Sequence, residues 1–283
     1  MDSKKKKIFL IIGLLALFIV SYFIYQHVIY VETDNAQVEA PTVMLAAKIS
    51  GYIKDVRIND GQKVKKDDVL IQIDSRDYKS VFDSATSELL SLEARKKDAE
   101  KNYYRIKNLF AQAVVSSQQL DTATANYNEI KARYDSAASK VIQSQLNLDN
   151  TQIKAPSDGI IARKSAEIGQ LATPGNPLIG FVSSESRWII ANFKETEIEN
   201  IKVGKKVDIQ IDAVSGKKFS GEVESISSAT GATFTLLPPD NATGNFTKVV
   251  QRVPVKIKFL NLTTEDFDQI QAGLSTVVKV HIH

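Results

Sequence analysis

The chain has three histidines and no cysteine, which leaves little room for metal or nucleophile chemistry. His281 and His283 stand two apart at the end of a strand-like run, a spacing that puts both imidazoles on one face. Two neutral imidazoles are a beginning of a zinc site, but at a chain end they read as solvated terminal residues, and no metal is expected. His27 follows an apolar run. The absence of cysteine excludes disulfides, thiol catalysis and thiolate-bound metal. No phosphate loop, G-x-S-x-G elbow or H-E-x-x-H pair is present. Carboxylates are scattered or fall beside lysines, as Glu93 and Lys97 do at helical spacing. No enzyme activity and no cofactor are expected.

Charge narrows the partners further. The formal net charge is +3, and the run Lys4 to Lys7 accounts for it. The remainder is close to neutral, so nucleic acid is not an expected partner. With 43% hydrophobic and 24% charged residues the composition is that of a folded chain,.

After the four lysines, Ile8 to Tyr25 is apolar apart from Gly13 and Ser21, and Val28, Ile29 and Tyr30 extend it past Gln26 and His27. A helix of that length crosses roughly 30 Å of hydrocarbon. Tyr22, Tyr25 and Tyr30 gather at the far end, where aromatic rings suit the interface, and the lysines hold the near end in the cytoplasm. A cleaved signal peptide would show a shorter apolar core followed by small residues. Here Phe23, Ile24, Tyr25 and Gln26 stand instead, and an uncleaved, single-pass anchor is expected.

Downstream the chain repeats itself. A constant shift pairs Ala47 with Ala155, Gly51 with Gly159, Ile53 with Ile161, Gly61 with Gly169, Gln62 with Gln170 and Leu70 with Leu178. Short Val- and Ile-rich runs around these positions, such as Val69 to Ile73, read as strands, with the glycines at turns or bends. Each copy is too small to bury a core alone, so the two are expected to close one β-sandwich.

Between the copies the period changes. Tyr78, Phe82, Ala85, Leu89, Leu92, Ala99, Tyr103, Ile106 and Phe110 follow alternating steps of four and three, broken at Lys96. Leu120, Ala123, Tyr127, Ile130, Tyr134, Ala137, Val141 and Leu148 do the same, broken at Ser144. Such spacing without Gly or Pro specifies two helices with a narrow apolar seam. Ala113 to Ser117 interrupts it, and Ser116 or Ser117 is placed to cap the returning helix. The short turn makes the helices antiparallel, each roughly 50 Å long.

These features resemble the membrane fusion proteins of the HlyD and EmrA family. In that family the halves of a lipoyl- or biotinyl-carrier-like domain are split by a helical hairpin. Tyr30-Val-Glu-Thr-Asp-Asn-Ala-Gln-Val38 is similar to the family's incoming strand. Trp188-Ile-Ile-Ala-Asn-Phe-Lys-Glu-Thr196, Leu236-Leu-Pro-Pro-Asp-Asn-Ala-Thr-Gly-Asn245 and Lys248-Val-Val-Gln-Arg-Val-Pro254 resemble the EmrA branch. The resemblance implies a periplasmic adaptor of a tripartite multidrug efflux pump. Its partners would be an inner-membrane drug transporter, of the major facilitator type, and a TolC-like outer-membrane channel. It also implies a homo-oligomer, a trimer or hexamer. Adaptors that dock on such channels often carry Arg, then Leu four residues on, then Ser seven further at the hairpin tip, and Arg105, Leu109 and Ser116 stand at those offsets. The other reading of the three is a solvated helix residue, a residue flanking the seam and a helix cap. A carrier subunit bearing lipoyl or biotin is a rival, but the hairpin that would hold its modified lysine is where the helices are inserted. An adaptor of an ABC-type protein secretion system is a second rival.

The remaining runs, Arg187 to Asn192, Lys206 to Ile211, Gly221 to Ile226, Val253 to Phe259 and Thr276 to Ile282, read as strands of a small β-barrel. Pro238-Pro239 interrupts them, and Ser215-Gly216 and Gly231 mark turns. The expected fold is mixed α and β: an N-terminal transmembrane helix, a split lipoyl-like β-sandwich, an antiparallel α-helical coiled-coil hairpin and a small β-barrel. The expected divisions are a cytoplasmic tail (1–7), the inner-membrane anchor (8–30), the incoming barrel strand (31–42) and the first lipoyl-like half (43–74). The hairpin (75–150), the second half (151–183) and the barrel with its membrane-proximal region (184–283) follow, the bulk being periplasmic.

Overall fold

Each sheet of one sandwich sets a central pair of strands from one repeat between two outer strands from the other. The computed structural model describes residues 30–214, 216–230 and 250–282. The tail 1–7, the anchor up to residue 29, His27, Gly231, the segment Leu236 to Asn245 and His283 lie outside the described residues. Among the described residues no helix is long and apolar enough to cross a membrane. The chain forms two compact units, one of residues 42–181 and one of residues up to 41 together with 182–283.

The first unit contains strands β2 (Thr42–Ala46) to β9 (Pro177–Ser183), apart from the last residues of β9. Its two sheets run β2-β9-β7-β4 and β6-β5-β3-β8, where β3 is Gly51–Val56, β4 Lys63–Val64, β5 Val69–Ile73, β6 Gln152–Lys154, β7 Gly159–Lys164 and β8 Leu171–Ala172. The constant shift of the sequence is a twofold-like relation in space. Gly61 N donates to Ile161 O (2.7 Å), and its counterpart Gly169 N donates to Ile53 O (2.9 Å). Ile161 N donates to Gln62 O as Ile53 N does to Gln170 O. The core obeys the same relation: Ile53 and Ile161, Leu70 and Leu178, Ile71 and Ile179, Ile73 and Phe181 are all buried. Each such side chain contributes about 1.5–3 kcal/mol by leaving water. Gly61 and Gly169 are at turns, with φ of 77° and 85°. Gly51 and Gly159 open strands instead, contrary to the turn or bend expected. At Gly51 the reason is close packing, since a Cβ there would lie 2.6 Å from Ile73 Cγ2.

The hairpin leaves this sandwich as α1 (Arg76–Ala111) and returns as α2 (Ser117–Asp149). Thr151 pins its root. Its buried hydroxyl donates to Leu148 O (2.7 Å), while its carbonyl accepts from Ile73 N (2.8 Å). Tyr78 Oη also donates to Ser50 O, tying the first turn of α1 to the sandwich. Ala85, Leu92 and Ala99 are buried on α1, with Ala123, Ala137 and Ser144 on α2. Lys96 and Ser144, the two breaks in the apolar pattern, occupy seam positions. Lys96 Nζ lies 4.1 Å from the centre of the Tyr134 ring, a cation–π contact, and Ser144 Oγ donates to Val141 O. Phe110 does not join the seam. It is 41% exposed, because α1 ends one residue later and α2 begins only at Ser117. An i,i+4 ion pair joins Glu129 to Arg133; no such pair forms between Glu93 and Lys97 among the described residues.

The second unit is a closed barrel in the order β1-β10-β13-β12-β11-β14. Its strands are β1 (Tyr30–Glu39), β10 (Trp188–Lys194), β11 (Lys206–Ile211), β12 (Lys218–Ile226), β13 (Arg252–Leu260) and β14 (Ser275–His281). Period-two alternation turns Ile189, Ala191 and Phe193 of β10 and Val207, Ile209 and Ile211 of β11 into the barrel core. Gly221 of β12 has no space for a side chain, as a Cβ would meet Ile209 Cδ1 at 2.6 Å. Two short helices, a 3-10 turn at Glu195–Asn200 and α3 at Thr264–Gln269, were not among the expected elements.

Candidate functional site

The turn between α1 and α2 is closed by a specific motif on each side. Gln112 ends α1, and Ala113 takes a left-handed φ of 55°. Ala113 N donates to Phe110 O (2.9 Å) and Val114 N donates to Leu109 O (3.0 Å). This pair of bonds is a Schellman motif, with alanine where glycine is usual. Across the turn, Ser116 is the cap of α2. Its Oγ accepts from Gln119 N (3.3 Å), and Gln119 Oε1 accepts from Ser116 N (3.0 Å), a reciprocal capping box. Of the two serines proposed as caps, the geometry selects Ser116.

Around this turn the three expected docking residues have different surroundings. Arg105 is exposed and makes no hydrogen bond or ion pair among the described residues. Leu109 lies one turn further on, half-buried, with its carbonyl in the Schellman pair. Ser116 is exposed, but its hydroxyl is engaged in the cap. Phe110 and Val114, the latter 65% exposed, add apolar surface that the sequence reading had not assigned to the tip. Their position on either side of the break in the heptad pattern is the signal that could have found them. Behind the turn, Asn102, Ile106, Gln118, Gln119, Thr122 and Asn126 line a groove of about 380 Å³.

Below the tip the seam is aromatic. Tyr103 and Tyr127 stack with centroids 5.5 Å apart and planes 10° apart. Burial, and then the Glu100 carboxylate, push the Tyr127 hydroxyl pKa up.

In the barrel, the ionisable residues serve structure. His281 Nε2 lies 3.0 Å from Asp208 Oδ2, and its ring meets the Tyr30 ring edge-on at 4.7 Å. His281 is therefore half-buried and partnered, and not the solvated terminal residue expected. Among the described residues no group of three or more His, Asp or Glu converges as a metal site. A cleft of about 690 Å³ lined by Tyr30, Glu32, Lys194, Asp208, Lys218 and Lys279 carries paired charges, among them Lys279–Glu32 (2.9 Å). Arg187 is buried with no carboxylate partner among the described residues. Its guanidinium donates to Ile270 O (3.1 Å) and Ser186 O (2.9 Å), and burial lowers its pKa.

Residues 41–183 match the family described as the RND MFP barrel-sandwich hybrid domain. Residues 186–281 match the AAEA-like beta-barrel domain. The Acinetobacter baumannii protein named colistin resistance protein EmrA is 32% identical, with 99% of this chain and 96% of that protein covered. The chain belongs to the EmrA-like membrane fusion proteins, the periplasmic adaptor subunits. The Escherichia coli multidrug export protein EmrA is also 32% identical, over 88% of this chain and 76% of that relative. Among solved folds, the membrane fusion protein Spr0693 of Streptococcus pneumoniae has a TM-score of 0.64 at 16% identity, covering 89% of this chain and 98% of that one. This EmrA-like chain thus shares its fold with proteins of distant sequence.

Proposed function

We propose that this chain is the periplasmic adaptor of a tripartite multidrug efflux pump. It would couple an inner-membrane transporter of the major facilitator type to a TolC-like outer-membrane channel, working as a homo-oligomer, a trimer or hexamer. Residues 8–30 anchor it in the inner membrane with the N-terminus cytoplasmic. The drug-resistance names of its relatives support this cargo over a secreted protein. The observation that carries the coupling role is the tip. Two helices of 36 and 33 residues, each about 50 Å long at 1.5 Å per residue, meet in a turn fixed by a Schellman motif and a capping box. A turn so fixed presents its side chains without further ordering on binding. Arg105 and Leu109, joined by Phe110 and Val114, offer a cation beside apolar anchors, the composition of an interface centre.

The test separates docking from folding. Arg105→Asp and Val114→Asp change exposed groups, so thermal melting of the full chain shifts by no more than about 0.5 kcal/mol. Both variants lose crosslinking to the outer-membrane channel in cells and lose drug resistance. Unchanged crosslinking in both would remove the docking role. Leu109→Asp, at a half-buried position, is the comparison in which stability falls as well.

A further inference from the structure

The outer surface of the hairpin carries two ordered lines of residues, one on each helix. The seam contacts of Tyr103 on Tyr127 and of Lys96 on Tyr134 set which residues of α1 and α2 are level. Seven residues towards the root on α1 match seven towards the root on α2. Leu90, six residues rootward of Lys96, is therefore level with Lys140, and Ile142 lies two residues, about 3 Å, closer to the root. Leu90, Lys97 and Tyr104 follow at steps of seven and so share one line on α1, roughly 130° round from the seam. Asn128, Asp135 and Ile142 form the corresponding line on α2, at the same angle from the seam. All six side chains are exposed, Leu90, Tyr104 and Ile142 by 61%, 53% and 63%. Neither Lys97 nor Asp135 has an ion-pair partner among the described residues.

We infer that the α1 line of one copy of this chain packs against the α2 line of the next in a single register, which deepens the homo-oligomeric part of the proposed function and rests on it. In that register Leu90 meets Ile142, Lys97 meets Asp135 and Tyr104 meets Asn128, each pair offset by the same two residues. A slip of one heptad puts Lys97 against Ile142, or Leu90 against Asp135, and takes a charge from water with no countercharge. One heptad nearer the root Asp83 and Asp149, both exposed, would face each other, so the attraction is confined to the stretch from Leu90 to Tyr104. The occupant is another copy because the complement of each line stands on the same chain at the same heights. A foreign partner would match one line and leave the order of the other without a cause, and a channel meeting the tip stays about 30 Å from Leu90. Two different surfaces meet, so the contact is heterologous, the kind that generates rings. Because the helices are antiparallel, both lines turn to the same side of the hairpin plane, which curves successive copies towards closure as a trimer or hexamer requires. A stable contact needs about 800 Å² from each partner, so the paired lines set the register of a larger surface.

The lack of cysteine makes the test direct, since one introduced thiol is unique. The full chain in detergent is oxidised carrying Leu90→Cys, carrying Ile142→Cys, or with the two variants co-expressed. Each alone is expected to give no dimer, and the co-expressed pair a disulfide-linked dimer. A dimer from either variant alone would show a twofold contact and overturn the head-to-tail one. In parallel, Lys97→Asp and Asp135→Lys should each raise the dissociation constant of the oligomer on the order of tenfold at low salt. Both changes in one chain should restore it, and the melting temperature should hold throughout, since both residues are exposed. Weakening by each change without rescue by the two together overturns the register. A wild-type oligomer that neither crosslinks nor responds to charge reversal overturns the paired lines but leaves oligomerisation standing. A monomeric wild type overturns both.

Discussion

Asp67 and Gly175 hold the same left-handed turn in the two halves of the sandwich, at φ of 67° and 82°. Asp67 N donates to Ala155 O (3.0 Å), and Gly175 N donates to Ala47 O (3.4 Å), again at matching places. One half uses the residue without a Cβ, and the other uses one whose short polar side chain tolerates this region. A β-branched residue does not. Asp67→Val and Gly175→Val are each expected to destabilise the protein by about 1–2 kcal/mol, whereas Asp67→Gly stays near wild type. Thermal melting of the three variants decides it, and a wild-type melt for both valines would refute the shared turn.

Ala113 is the same problem at the hairpin tip. Its φ of 55° is one that glycine adopts freely. Ala113→Gly should relieve about 1 kcal/mol of strain, offset in part by the freer unfolded chain. Chemical denaturation should therefore show equal or higher stability in this variant and lower stability in Ala113→Val.

Thr276 tests the barrel core. Its side chain is fully buried, and its Oγ1 is the one buried side-chain polar atom without a hydrogen-bond partner among the described residues. An unpaired buried hydroxyl costs about 1–3 kcal/mol in lost hydration. Thr276→Val keeps the shape and removes the hydroxyl, so the melting temperature should rise. A fall would mean that the hydroxyl has a partner after all.

Asp266 sets an acid limit. Its Oδ1 pairs with Lys217, and its Oδ2 accepts from Thr263 N (2.9 Å) and Thr263 Oγ1 (2.8 Å). The Lys217 ammonium first, and the Thr263 donors next, lower its pKa from 3.8 to about 2. A carboxylate with a depressed folded-state pKa stabilises the fold above its unfolded value, and that stability is lost as pH falls through the folded one. Stability should therefore decline between about pH 4 and pH 2. Asp266→Asn should be less stable at neutral pH and flatten this decline in denaturation measured across the range. Asp74, held at about 2 by Arg76, adds a second component in the same window.

The sequence alone determined the features that depend on near neighbours. Alternating steps of four and three specify helices because residues at those separations share one helical face, so the seam from Tyr78 to Ile106 was legible down to its breaks. The repeat was legible for a different reason: both copies solve one packing problem, and Gly61, Gly169, Leu70 and Leu178 are its constant terms. Phe110 escaped because a heptad pattern does not mark the residue at which a helix stops. Tertiary structure alone decided the order in which the expected strands close the barrel, since β1 pairs with β10 and β14, whose residues stand more than a hundred positions away. It also decided the partners of Arg187, His281 and Asp266. The heights of Leu90 and Ile142 along the rod belong to the same class. Helical periodicity fixes the face on which a residue stands, and only the packed seam, with Tyr103 on Tyr127 and Lys96 on Tyr134, fixes which residues of the two helices are level.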